Sequence, residues 1–127
     1  NTIPLFQTEK QLRKSINKIK TNLLEPGEPK DPDDSTVFQI WSAFASPDET
    51  QRMREEFANG IAWGEAKKQL FELVNGELAA ARERYNRLMD DPAHIEGVLR
   101  KGADRAREYS APLMQKVREA VGISSVA

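Results

Sequence analysis

The sequence predicts an all-α protein, a bundle of five or six helices. Three observations carry that prediction. Apolar residues recur at three- and four-residue intervals along most of the chain. Helix-start signatures precede those runs: Thr8 with Gln11, Ser46-Pro47 with Glu49, and Asp91-Pro92. No alternating strand pattern occurs beyond a short candidate at Ile3 to Phe6, and no internal repeat is visible.

The first helix is expected over residues 9–21, with Leu12, Ile16, Ile19 and Leu23 as its apolar stripe. The stretch "EPGEPKDPDD" follows. Its prolines stop any helix and make an ordered loop or a linker. A second helix runs from about Ser35 to Ala45. Val37, Phe38, Ile40, Trp41 and Phe44 make it the most apolar segment and the expected core helix. The third starts at the Ser46 cap, turns Met53 and Phe57 inward, and ends at Asn59-Gly60, where glycine accepts the left-handed stop.

The fourth helix, residues 64–89, places Leu70, Leu73, Val74, Leu78, Ala81, Tyr85 and Leu88 on one arc. Lys67 falls near the middle of that arc, where an apolar side chain is expected. A fifth helix opens at Asp91-Pro92 with Ile95, Val98 and Leu99 inward, and Gly102 is expected to interrupt it. A last helix covers residues 103–121, with Ala106, Leu113, Val117, Ala120 and Val121 inward, a kink at Pro112, and Gly122 as its stop. The final "SSVA" is expected to fray.

Composition excludes several kinds of chemistry. The 127 residues make one domain the prior. Without cysteine there is no disulfide or thiolate metal site, and a single histidine, His94, rules out a multi-histidine zinc site. No triad partner stands out for His94, and the glycines are too scattered for a phosphate loop. No catalytic or metal constellation emerges. The absence of a long apolar run or a leader pattern makes a soluble, cytoplasmic protein with no membrane contact the expectation. The chain opens on the apolar "NTIPLF" without a methionine, which reads as a cut from inside a longer chain.

Charge is nearly balanced at −1 but uneven. Lys10, Arg13, Lys14, Lys18 and Lys20 stand together without an acid, which either solvates a helix face or follows a phosphate backbone. Trp63, Lys67 and Lys68 stand at the start of the fourth helix. Free N–H groups and the dipole favour anions there, and an indole can stack on an unpaired base. The same residues also suit a structural role, with Trp63 covering the core and Lys67 snorkelling past it.

The run "GIAWGEAKKQLFELVNGELAAARERYNRLMDDPAHIEGVLRKGADRAREYSAPLMQKVREAVGI" resembles the C-terminal helical domain of bacterial tryptophanyl-tRNA synthetases. The markers, in order, are "WGEAKK", "RERY", the aspartate–proline turn, "KGADRAR" and "VREAVGI". "NTIPLF" is similar to the segment after the Lys-Met-Ser-Lys-Ser signature of these class I enzymes, and "EKQLRKSINKIKT" to the helix after that. The resemblance covers roughly residues 1–123. "AKK" before an apolar helix also occurs in the related tyrosyl enzyme, so the ordered set carries the resemblance.

The resemblance implies residues 1–7 as the segment after an absent signature loop and residues 8–127 as a helical anticodon-binding domain of the class I synthetase type. It implies a ligase that joins tryptophan to tRNA with ATP and magnesium in the whole enzyme. The chain itself would hold no cofactor and be inactive alone, since neither the signature nor a His-Ile-Gly-His motif is present. Its partners would be tRNA and the absent catalytic domain. The whole enzyme would be a homodimer built through that domain, and this piece a monomer. Matched residue by residue, the anticodon would meet Glu28, Lys30 and Asp31 in the proline-rich loop and Trp63, Lys67 and Lys68 at the helix start. The basic first helix and the apolar Ile3, Leu5 and Phe6 would lean on the catalytic domain. The bland alternative is a helical protein-interaction bundle without RNA.

Overall fold

A computed structural model describes residues 3–123, so the expected fraying of "SSVA" lies outside the described residues. Five helices and no strand occur among them: α1 (Glu9–Asn17), α2 (Thr36–Phe44), α3 (Pro47–Ala58), α4 (Trp63–Met89) and α5 (Pro92–Ala120). The strand candidate at Ile3 to Phe6 is instead irregular chain ending in a turn. The chain divides into two compact units, with the boundary between Tyr85 and Asn86.

The first unit is built on caps that the local sequence specifies. Thr8 and Gln11 close a capping box on α1, and Ser46 and Glu49 close one on α3 with Pro47 at the first helical position. The Ser35 side chain accepts from the Phe38 N–H at 3.3 Å and starts α2. Gly60, at φ 82°, lets the chain turn from α3 into α4. The core gathers Leu12 and Ile16 of α1, Val37 and Phe38 of α2, Met53 and Phe57 of α3, and Ala66, Leu70, Phe71 and Val74 of α4. Phe57 is fully buried and meets Phe38 edge-on, with ring centroids 5.5 Å apart.

Expectations for α1, α2 and α4 need correction. α1 stops at Asn17 rather than near residue 21, and Leu23 lies in the loop, 98% exposed. The physical reason is a lysine from another helix that takes the carbonyls at this end, described below. Only half of α2 is core: Ile40 and Trp41 are half-buried and Phe44 is exposed. On α4 the buried arc fades after Val74, so Ala81, Tyr85 and Leu88 are exposed. Tyr85 still gains a partner, because Phe6 stacks on it with centroids 4.7 Å apart and rings 5° from parallel.

In the second unit, Asp91 caps α5 by accepting from the His94 N–H at 3.1 Å. Gly122, at φ 74°, closes the helix, and the Ile123 N–H returns to the Arg118 carbonyl at 2.8 Å. Gly102 does not interrupt α5, and Pro112 lies inside the continuous helix. A single glycine costs about 1 kcal/mol against alanine. No proline accompanies Gly102, and the alanines and arginines around it favour helix. Ile95 is half-buried, but the rest of the stripe expected inward is exposed, including Val98, Leu99, Leu113, Val117 and Val121, and no residue of α5 is buried. One long helix supplies no second layer of its own to bury such a stripe.

Candidate functional site

The proline-rich segment is an ordered loop anchored to the turn between α3 and α4. The Gly27 N–H donates to the Gly60 carbonyl at 2.8 Å, and the Lys30 N–H donates to the Phe57 carbonyl at 2.9 Å. Gly27 is itself left-handed at φ 91°. The two glycines approach so closely that a Cβ placed on Gly60 would lie 2.7 Å from Gly27 Cα.

Lys30 is only 3% exposed, which is unusual for an ammonium. Its Nζ donates to the carbonyls of Glu25 at 2.8 Å and Glu28 at 2.9 Å. The same ammonium stands 5.6 Å from the centroid of the Trp63 ring. Lys30 therefore folds the loop around itself and sets it against the indole. Trp63 is half-buried. It meets Phe57 edge-on at 5.6 Å, and its Nε1–H donates to Asn22 Oδ1 at 3.1 Å. The start of α4 beside it is accessible. Gly64 has open space where a Cβ would stand, and the Lys68 side chain is 58% exposed, held only loosely by Glu65 at 3.9 Å.

Lys67 is placed otherwise. Its Nζ donates to the carbonyls of Ile19 at 2.7 Å and Asn17 at 3.2 Å. A side chain from α4 thus satisfies carbonyls left over where α1 ends, and a positive charge there also matches the negative end of the helix dipole. This accounts for a lysine on an apolar meridian. Burial holds its ammonium below the usual 10.5. The folded protein then releases this proton before the unfolded chain does, so the Lys67 contribution to stability rises as pH climbs toward that value. Lys67→Met is expected to destabilise the protein by about 1 kcal/mol near neutrality, for the lost carbonyl bonds. It is also expected to flatten the alkaline rise. Urea midpoints across the range from pH 7 to about 10 check both.

Of the six residues expected at the site, Lys30, Glu28 and Trp63 come together, with Lys68 in the first turns of the same helix as Trp63. Glu28 is exposed, and its carboxylate accepts from the Glu25 N–H. Asp31 is exposed one residue past the buried Lys30, and its Oδ1 accepts from the Asp33 N–H at 2.9 Å. Asn22 also belongs to this face, and sequence reasoning did not name it as a site residue. Its link to Trp63 spans 41 positions and leaves no local signal. The arrangement offers a partly open aromatic surface, an exposed ammonium, a helix start and two carboxylates. That set suits an unpaired nucleotide better than covalent catalysis. Among the described residues no group of side chains is placed to hold a metal ion, and no helix is long and apolar enough to cross a membrane.

No protein-family model matches the chain. It is similar to the tryptophan–tRNA ligase of Neisseria meningitidis, 54% identical over 123 residues, which is 97% of this chain and 37% of that protein. The tryptophan–tRNA ligase of Pseudomonas aeruginosa is 48% identical over 126 residues, covering 99% of this chain and 28% of its own length. Among solved structures, tryptophanyl-tRNA synthetase from Campylobacter jejuni superposes with a TM-score of 0.89 at 35% identity, over 96% of this chain and 39% of that one. The chain spans well under half the length of the relatives it matches.

Proposed function

We propose, from the premise that this chain is homologous almost end to end to one part of the tryptophan–tRNA ligases, that it is the part that reads the tRNA anticodon. The whole enzyme would join tryptophan to tRNA with ATP and magnesium, as a homodimer, with the ATP and tryptophan sites outside this chain. The single observation that supports the anticodon role is the preformed face where the loop meets the start of α4. Trp63 would wall or stack on an unpaired base, and Lys68 would meet a phosphate beside the free helix start. Glu28 and Asp31 would accept from a base amino group, as carboxylates do from cytosine. Lys30 and Lys67 belong to the site as its scaffold, since their ammonium groups are engaged with carbonyls.

The test is a titration of tRNA onto the protein followed by fluorescence. Tryptophan tRNA should bind more tightly than a tRNA with another anticodon. Lys68→Ala should lower the slope of log affinity against log salt by about 0.7, the value for one phosphate of a single strand. Equal affinity for both tRNAs would remove the anticodon reading.

A second reading has one observation in its favour, the exposed Leu99, Leu113 and Val117 of α5. An apolar helix face of this kind suits a protein partner. A protein-interaction bundle would show no tRNA preference in the same titration.

A further inference from the structure

A second feature of the first unit lies outside the six site residues. The end of α1 and the start of α2 enclose an open cleft of about 580 Å³. Its floor is apolar: Ile3, Ile19 and Ile40, all half-buried. Its rim carries Ser15, Lys18, Lys20 and Thr36. Both lysines are exposed, and neither forms an ion pair among the described residues. No carboxylate lines the cleft. The acid nearest in sequence whose partner is defined, Asp33, is turned to Arg54 at 3.0 Å.

Two unpaired ammonium groups over an apolar floor favour a ligand with an anionic end and a flat, weakly polar body. The volume is within the range of small-ligand sites, about 300–1,000 Å³. The chain also runs directly from this cleft to the face described above. Lys20 is two residues from Asn22, the partner of Trp63, so at most about 7 Å of backbone separates them. A strand of nucleotides lying across Trp63 would pass the cleft with its neighbouring unit.

We propose that this cleft is a nucleotide subsite, in which Lys18 and Lys20 hold a phosphate while Ile3, Ile19 and Ile40 receive the base. The Thr36 hydroxyl at the start of α2 supplies a further donor to the phosphate. With an RNA strand as the source, the subsite rests on the reading of the chain as a tRNA-binding part. A free mononucleotide presents the same chemistry, and the experiment separates the two sources.

The experiment uses the whole 127-residue chain, isotopically labelled, and the double variant Lys18→Ala/Lys20→Ala. Amide shifts are followed during titration with adenosine 5′-monophosphate and, separately, with tryptophan tRNA. Adenosine without phosphate is the control. The expected result is saturable movement of the Ser15, Thr36 and Ile40 amides with the mononucleotide, absent with adenosine and absent in the variant. With tRNA, the variant should lower the salt slope by about 1.4, two single-strand phosphates at about 0.7 each. Because both lysines are exposed, its urea midpoint should match the parent.

Mononucleotide shifts at the cleft together with an unaltered tRNA slope would assign the subsite to a free nucleotide, and it would stand even if tRNA discrimination failed. The proposal is overturned if neither ligand moves the cleft amides, or if the variant keeps both the parental shifts and the parental slope.

Discussion

Gly60→Ala should destabilise the protein by about 3 kcal/mol. Two independent effects contribute. The left-handed conformation at φ 82° costs a side-chain-bearing residue about 1–2 kcal/mol. The new methyl would also sit against the backbone of Gly27, not against a flexible side chain that could move aside. Overpacking of that kind costs about 1–3 kcal/mol. Relief requires the loop to lift from the α3–α4 turn, which breaks the hydrogen bond from the Gly27 N–H to the Gly60 carbonyl. The substitution should therefore weaken tRNA binding beyond its effect on stability, because the surviving folded molecules carry a displaced loop. Urea unfolding measures the first effect, and titration at a temperature where the variant is folded measures the second. A loss under 1 kcal/mol would mean that the two glycines are not in contact.

Trp63→Ala should cost about 3 kcal/mol of stability and more than tenfold in tRNA affinity. Removing a packed tryptophan typically costs about 3–5 kcal/mol, and the lower end applies because Trp63 is only half-buried. The indole is the piece that Phe57, Lys30 and Asn22 share, so its removal leaves the Lys30 ammonium without its aromatic neighbour. Stacking on an unpaired base adds about 1–3 kcal/mol, which the alanine forfeits on binding. Trp63→Phe separates the roles. It keeps a ring against Phe57 and loses the bond to Asn22, so about 1 kcal/mol of stability should go while most of the affinity remains. If Trp63→Phe binds as poorly as Trp63→Ala, the ring is not stacking on RNA and the indole N–H matters instead.

These two positions show where sequence reasoning worked. Caps and stops are short-range chemistry, and Thr8 with Gln11, Ser46 with Glu49, Asp91, Gly60 and Gly122 act as the sequence reading expects. The buried sides of α1, α3 and the first half of α4 follow from periodicity in the same way. Lys67 stood out as an anomaly in the periodic pattern, but its partner lies 48 and 50 residues away, and no local rule reaches that far. The burial of Lys30 left no local signal, because periodicity has no meaning in a proline-rich loop. Its burial depends on carbonyls that only the folded loop brings round it. The exposed stripe of α5 shows the opposite failure. Apolar spacing predicts a face that wants cover, and says nothing about whether the same stretch of chain supplies it. The proposed tRNA face was legible in two ways: Trp63, Lys67 and Lys68 stand out as a charged, aromatic-flanked helix start, whereas Glu28, Lys30 and Asp31 came from the resemblance alone.

The buried ammonium of Lys30 has a thermodynamic corollary for recognition. A loop wound around its own internal cation has surrendered its conformational freedom during folding, once for the lifetime of the native state. On the anticodon reading proposed above, a visiting strand meets a finished shape, and the entropy of moulding the receptor does not recur at every encounter.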